Sequence, residues 1–159
     1  MKAEKFILHT EFIRENCIAR INRIELDGKT MVTISNAGNK SSRQRGLQWR
    51  WYTDVAQAGI GGKHEDTKEG VHLVSKYRWA IPILIRDDPF FAEIYHAWFM
   101  RWDKDDERKM WFVDHMVHTE DFNTSQMAEF LTEFQQYYGP HVNLTDPQDR
   151  NLLKMSRTT

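Results

Sequence analysis

Two short runs in the sequence collect residue types that hold divalent cations. KHEDTKE contains His64, Glu65, Asp66 and Glu69, and DHMVHTED contains Asp114, His115, His118, Glu120 and Asp121. Imidazoles and carboxylates gathered around Mg²⁺ or Zn²⁺ would suit a small nuclease. The surrounding pattern argues against it. The segment around His115 and His118 reads as a strand end and loop, where that separation puts the two rings on opposite faces. There is no HExxH, no HNH-like order with a matching asparagine, and the single cysteine, Cys17, has no partner. Solvated loop carboxylates with incidental histidines are the expectation, with no catalytic residue, no metal and no cofactor. GIGGKHED lacks the Lys-Ser/Thr ending of a phosphate-binding loop.

A third run carries a different chemistry. SSRQRGLQWRWYTDV, residues 41–55, holds three arginines and three large aromatics, Trp49, Trp51 and Tyr52. Guanidinium groups suit phosphates, and an aromatic face can stack on an unpaired base. Two residues turn a helix by roughly 200°, so Trp49 and Trp51 lie about 160° apart and must serve different surfaces. Leu47, Trp51, Val55 and Ala58 would form the apolar stripe. The alternative for the arginines is solvation, or pairing with Asp54, Glu65 or Asp66.

The totals limit the nucleic-acid reading. Net charge is −1 and the sequence pI is about 6.7, so this is no bulk polycation. Positive charge must be concentrated on one face or doubled by dimerisation. The 159 residues suit one domain with a real core, and six tryptophans is high for that length. The lone cysteine suggests a reducing compartment. Cys17 is expected as a buried, inert thiol. MKAEKFILHTEF shows no signal-peptide pattern. The longest apolar run, interrupted by Pro82, is far too short to span a bilayer.

The elements that must position these residues read as follows. Phe6-Ile7-Leu8 is a short strand. Ile13, Cys17, Ile21 and Ile24 mark a helix from Phe12 to Ile24. Asp27-Gly28 turns into a second strand, Met31 to Ile34. The loop from Asn36 to Lys40 leads to a helix capped by Ser41 or Ser42 and running to about Ala58. Thr67 caps a further helix, Lys68 to Trp79, closed by Pro82. Asp88-Pro89 starts another, to about Trp102. The charged segment Asp103 to Lys109 is a solvated turn, and Trp111 to Val117 a strand. Met127, Phe130, Leu131, Phe134, Tyr137 and Tyr138 mark a helix from Thr124 to the stop at Gly139-Pro140. The expected fold is α+β, a small N-terminal β-α-β element followed by several helices. It forms a single domain over residues 1–145, with a polar, mobile tail over 146–159.

Val32-Thr33-Ile34, then Asn39-Lys40-Ser41, Gln44, Trp49 and Asp54-Val55 follow an order that resembles the NinB family of phage recombination proteins, also called Orf in lambda-like phages. The register is ambiguous by one residue at Ser41 and Ser42. Arg45 stands where the family has asparagine, and Lys40 where it has arginine. The segment from Thr124 to Asp149 resembles that family's C-terminal helix and its proline-containing tail. The resemblance implies a homodimeric recombination mediator with no catalysis. It would bind single-stranded or tailed DNA between subunits and assist recombinase loading, alongside single-strand-binding protein and the host recombinase. The setting would be the cytoplasm of a phage-infected bacterium, with no membrane association. Lys40, Arg43, Arg45 and Arg50 become the candidate DNA contacts, with Lys63, Lys76 and Arg78 as secondary ones. Trp49 is expected to build the fold or the dimer, with base stacking as its alternative. The competing readings are the metal-dependent nuclease and a protein-interaction module with exposed aromatics.

Overall fold

The computed structural model describes residues 4–8, 10–35 and 39–155. Three residues of the expected loop at 36–40 and the end of the expected tail, 156–159, lie outside them. The described chain divides into two compact units, residues 1–38 and 39–159.

The first unit is built on α1, Glu11–Asn22. Thr10 caps it, its hydroxyl accepting from the Ile13 amide at 3.2 Å. Arg20 donates to both carboxylate oxygens of Glu4 at 2.9–3.0 Å. The Asp27 carboxylate accepts from the amides of Lys29 and Thr30 in the turn at Gly28, whose φ of 67° suits glycine. The flanking segments around Phe6–Leu8 and Met31–Ile34 form no strand among the described residues. The β-α-β expectation is therefore corrected: among the described residues the protein is all helical. Apolar, β-branched runs supply strand propensity, but a sheet forms only where tertiary structure lines up a continuous backbone ladder. Cys17 is only half-buried, not enclosed as expected.

The second unit contains α2 (Lys40–Ala58), α3 (Lys68–Ser75), α4 (Ile81–Asp87), α5 (Pro89–Ala97), α6 (Glu107–Met116) and α7 (Thr124–Tyr138), with short 3₁₀ turns at Phe99–Arg101, Thr119–Asp121 and Arg150–Leu153. Start and stop signals work largely as the sequence indicates. Thr67 caps α3 and Asp88 caps α5, with Pro89 in its first turn. Asn123 and Gln126 form a reciprocal capping box on α7. The cap of α2 is Asn39, two residues before the expected serine pair, and Gly59 ends it at φ 61°.

Two expectations fail for identifiable reasons. Pro82 does not close the helix before it. Lys76–Ala80 widen into a π-helical turn in which the Ile81 amide reaches back to the Lys76 carbonyl. That wider turn makes room where a proline ring would clash with the carbonyl four residues earlier, and the chain continues as α4. The segment Trp111–Val117 is not a strand. Asp106 caps a helix there by accepting from the Arg108 amide at 2.9 Å. Phe112, Val113, Met116 and Val117 then turn inward at helical spacing.

α7 runs through the core. Phe134 stacks on Trp51 at 5.9 Å and meets Tyr52, Trp79 and Tyr138 at 4.7–5.7 Å. A second aromatic cluster joins Phe91, Tyr95, Phe99, Trp102 and Phe112. The chain after α7 packs too. Leu152 is buried, and the indole N–H of Trp51 donates to the Thr145 carbonyl at 2.7 Å. The segment assigned to a polar tail thus belongs, through Leu153, to the packed unit. No described helix is long and apolar enough to cross a membrane.

Candidate nucleic-acid interface

The site is one side of α2. Its buried side carries Gln44, Leu47, Gln48, Trp51, Tyr52 and Val55. Trp51 has no solvent exposure, whereas Trp49 keeps 40%. The two tryptophans therefore face different surroundings, as their helical phase requires. Arg45 and Arg50 flank Trp49 on the exposed side. Along the whole helix there are four basic residues and a single acid, Asp54, whose carboxylate accepts from the Thr145 amide at 2.7 Å.

Gln44 fixes the start of the helix. It is fully buried, and its amide N–H₂ donates to the carbonyls of Thr124 at 2.9 Å and Leu152 at 2.8 Å. One side chain thus joins α2, the first residue of α7 and the last 3₁₀ turn. The motif residues Gln44, Asp54 and Val55 are scaffold: two tie α2 to later segments and one fills the core.

Two rings, held by a chain of hydrogen bonds, support Trp49 from below. Its ring meets Tyr52 edge-on at 5.2 Å and His72 at 4.9 Å. Gln48 donates one amide hydrogen to the Tyr52 hydroxyl at 2.7 Å and the other to Thr119 Oγ1 at 3.2 Å. The Tyr52 hydroxyl lies 3.0 Å from His72 Nδ1. Since that hydroxyl already accepts from Gln48, its own hydrogen is available to His72, which makes Nδ1 the acceptor and places the ring proton on Nε2. Burial, with a contribution from nearby Lys76, lowers the His72 pKa to about 4. Burial also pushes the Tyr52 phenol up, so both groups stay neutral. Sequence reading missed Gln48, His72 and Thr119. The available signal was two glutamines, Gln44 and Gln48, four apart on an otherwise apolar stripe.

The expected DNA contacts fall into two groups. Most have internal partners. Lys40 Nζ donates to the Lys154 carbonyl at 3.0 Å, and Arg43 pairs with Asp149 at 2.7 Å, where the acid side chain is 8% exposed. Arg45 donates through one guanidinium nitrogen to the Glu120 carbonyl. Lys76 is buried, and its ammonium donates to the Val113 and Asp114 carbonyls at 3.3 and 3.1 Å. It thereby caps the last turn of α6, where a cation opposes the helix dipole. Its pKa is lowered by burial. Arg78 lies over the Tyr137 ring at 4.4 Å and 3.6 Å from the buried Glu65 carboxylate. Arg50 and Lys63 form the second group: among the described residues they are exposed cations with no ion-pair partner.

The His/carboxylate runs do not converge. His64 sits in the left-handed region at φ 71°, and the next residue, Glu65, turns inward to accept the Tyr138 hydroxyl at 3.0 Å. His115 lies 3.6 Å from Asp114 and stacks on Trp111, while His118, beyond the end of α6, lies 3.1 Å from Glu120. Among the described residues no three His, Cys, Asp or Glu side chains are placed to hold a metal ion. The helix, rather than the expected strand, sends His115 and His118 to different carboxylates. No family model, curated protein or solved structure matches the chain.

Proposed function

We propose that this protein is a non-catalytic DNA-binding mediator of recombination, acting as a homodimer in a phage-infected bacterial cell. The observation that carries the reading is the exposed side of α2, where Arg45, Trp49 and Arg50 stand together and the helix itself contributes no carboxylate between them. Arg45 and Trp49 are held in place, one by the Glu120 carbonyl and the other by Tyr52 and His72. Held side chains lose less entropy on binding. The remaining N–H groups of Arg45, with Arg50 and Lys63, supply phosphate contacts. Trp49 offers a ring to an unpaired base. Lys40, Arg43, Lys76 and Arg78 hold the fold that presents them. The NinB resemblance supplies the recombination setting, the dimer, and the involvement of single-strand-binding protein and recombinase.

The test is fluorescence anisotropy of a labelled single-stranded oligonucleotide across a salt series. Binding should weaken steeply with salt. Arg50→Ala with Lys63→Ala should lower the slope by about 1.4, from roughly 0.7 per lost single-strand phosphate contact. Absence of binding at low salt rejects the reading.

A further inference from the structure

Beside Trp49 the fold holds one hydrogen-bond donor that nothing inside the chain uses. His72, carried by α3, lies with its ring 4.9 Å from that of Trp49 and 5.1 Å from that of Tyr52. Its Nδ1 accepts the Tyr52 hydroxyl, so the ring hydrogen sits on Nε2. That N–H meets no acceptor among the described residues, and it is not sealed from solvent. The neighbouring neutral and buried donors are occupied. Gln48 gives its amide hydrogens to Tyr52 and Thr119, and Lys76 donates to two carbonyls of α6.

Neutrality decides what such a donor suits. Burial lowers the His72 pKa to about 4, so the ring carries no charge at neutral pH. Phosphate is better served by the guanidinium groups of Arg45 and Arg50 on either side of Trp49. A neutral N–H beside a stacking ring instead suits the edge of the base that lies on that ring. A carbonyl at that edge accepts from it, whereas an exocyclic amino group opposes it, donor to donor. The geometry points to His72 as the base-discriminating residue of the Trp49 site, its Nε2–H donating to a carbonyl of an unpaired keto base stacked on the indole. Uracil, thymine and guanine are the bases of that class. The assignment rests on the DNA-binding reading and adds to it which bases the site holds.

Uracil and cytosine are close in size and differ in carrying a 4-carbonyl or a 4-amino group. Fluorescence anisotropy at neutral pH, with short labelled single strands of deoxyuridine and of deoxycytidine, therefore reads the discrimination. The wild-type chain should hold the deoxyuridine strand about 5-fold tighter, the worth of one neutral hydrogen bond. His72→Phe keeps a ring beside Trp49 and removes the donor. It should bring the two strands to within about 2-fold of each other, with deoxycytidine affinity and salt slope at their wild-type values. If His72→Phe unfolds the chain, Tyr52→Phe decides. Without the hydroxyl the ring hydrogen is no longer fixed on Nε2, and the preference should shrink. Equal wild-type affinities for the two strands overturn the assignment and leave the DNA-binding reading standing. So does a folded His72→Phe that keeps the preference, or one that weakens both strands alike, which would put His72 against the strand's backbone. A preference untouched by Tyr52→Phe overturns it as well. Binding of neither strand overturns both readings.

Discussion

Removing one oxygen atom tests the support beneath Trp49. Tyr52→Phe keeps the buried ring and its contacts with Phe134 and Trp49 but deletes a hydroxyl bonded to both Gln48 and His72. Gln48 retains its bond to Thr119, while His72 Nδ1 loses its donor. One lost hydrogen bond and one under-satisfied, partly buried acceptor together cost about 2 kcal/mol. In a domain of this size that lowers the thermal midpoint by roughly 6–10 °C. The pH dependence is the sharper readout. The His72 pKa is about 4 in the folded chain, against an ordinary value of 6.5. Between those values the unfolded chain binds a proton that the folded chain does not. Stability is therefore full above about pH 6.5 and falls as pH drops toward 4, by a loss on the order of 3 kcal/mol. The Tyr52 hydroxyl favours neutral His72 by donating to it. Without it the His72 pKa should rise, and the stability loss over this window should shrink. Urea unfolding between pH 4 and 7, with His72 titrated by NMR, checks both. A stability change under about 0.5 kcal/mol with an unmoved His72 titration would refute the assigned bond and tautomer.

Three further outcomes follow from single contacts. Gln44→Ala strips donors from two carbonyls in a fully buried site and should cost about 2–4 kcal/mol by urea unfolding. Arg43→Ala leaves the largely buried Asp149 without its guanidinium partner and should cost about 1–3 kcal/mol, whereas Arg50→Ala should stay within about 0.5 kcal/mol. Gly70→Ala would drive a Cβ into the His64 carbonyl, so its thermal midpoint should fall by roughly 8 °C or more, while His64→Gly should raise stability by about 1 kcal/mol by relieving the left-handed backbone.

Local chemistry determined much of the architecture. Asp88-Pro89, Thr67, Thr124 onward and Gly139-Pro140 mark boundaries in the sequence because a cap, a ring or a missing Cβ acts within one turn of the chain. The opposed fates of Trp49 and Trp51 were legible for the same reason, since helical phase is local. The helix at Glu107–Met116 was hidden because Trp111, Phe112, Val113 and Met116 fit either period, and only packing of Phe112 against Phe91 and Phe99 selects one. The π-turn before Pro82 was equally invisible, being the accommodation of a proline inside a helix held at both ends.

The candidate site divides along the same line. Composition located the cluster of cations on residues 40–50. It did not determine which of them meet solvent. Lys40 and Arg43 reach acceptors more than a hundred positions away, Lys76 caps a helix that sequence reading had assigned as a strand, and Arg50 points outward. A side chain's charge is set by its chemistry alone. Whether that charge is available to a ligand depends on which carbonyls and carboxylates the fold brings within hydrogen-bond reach, and those lie far along the chain.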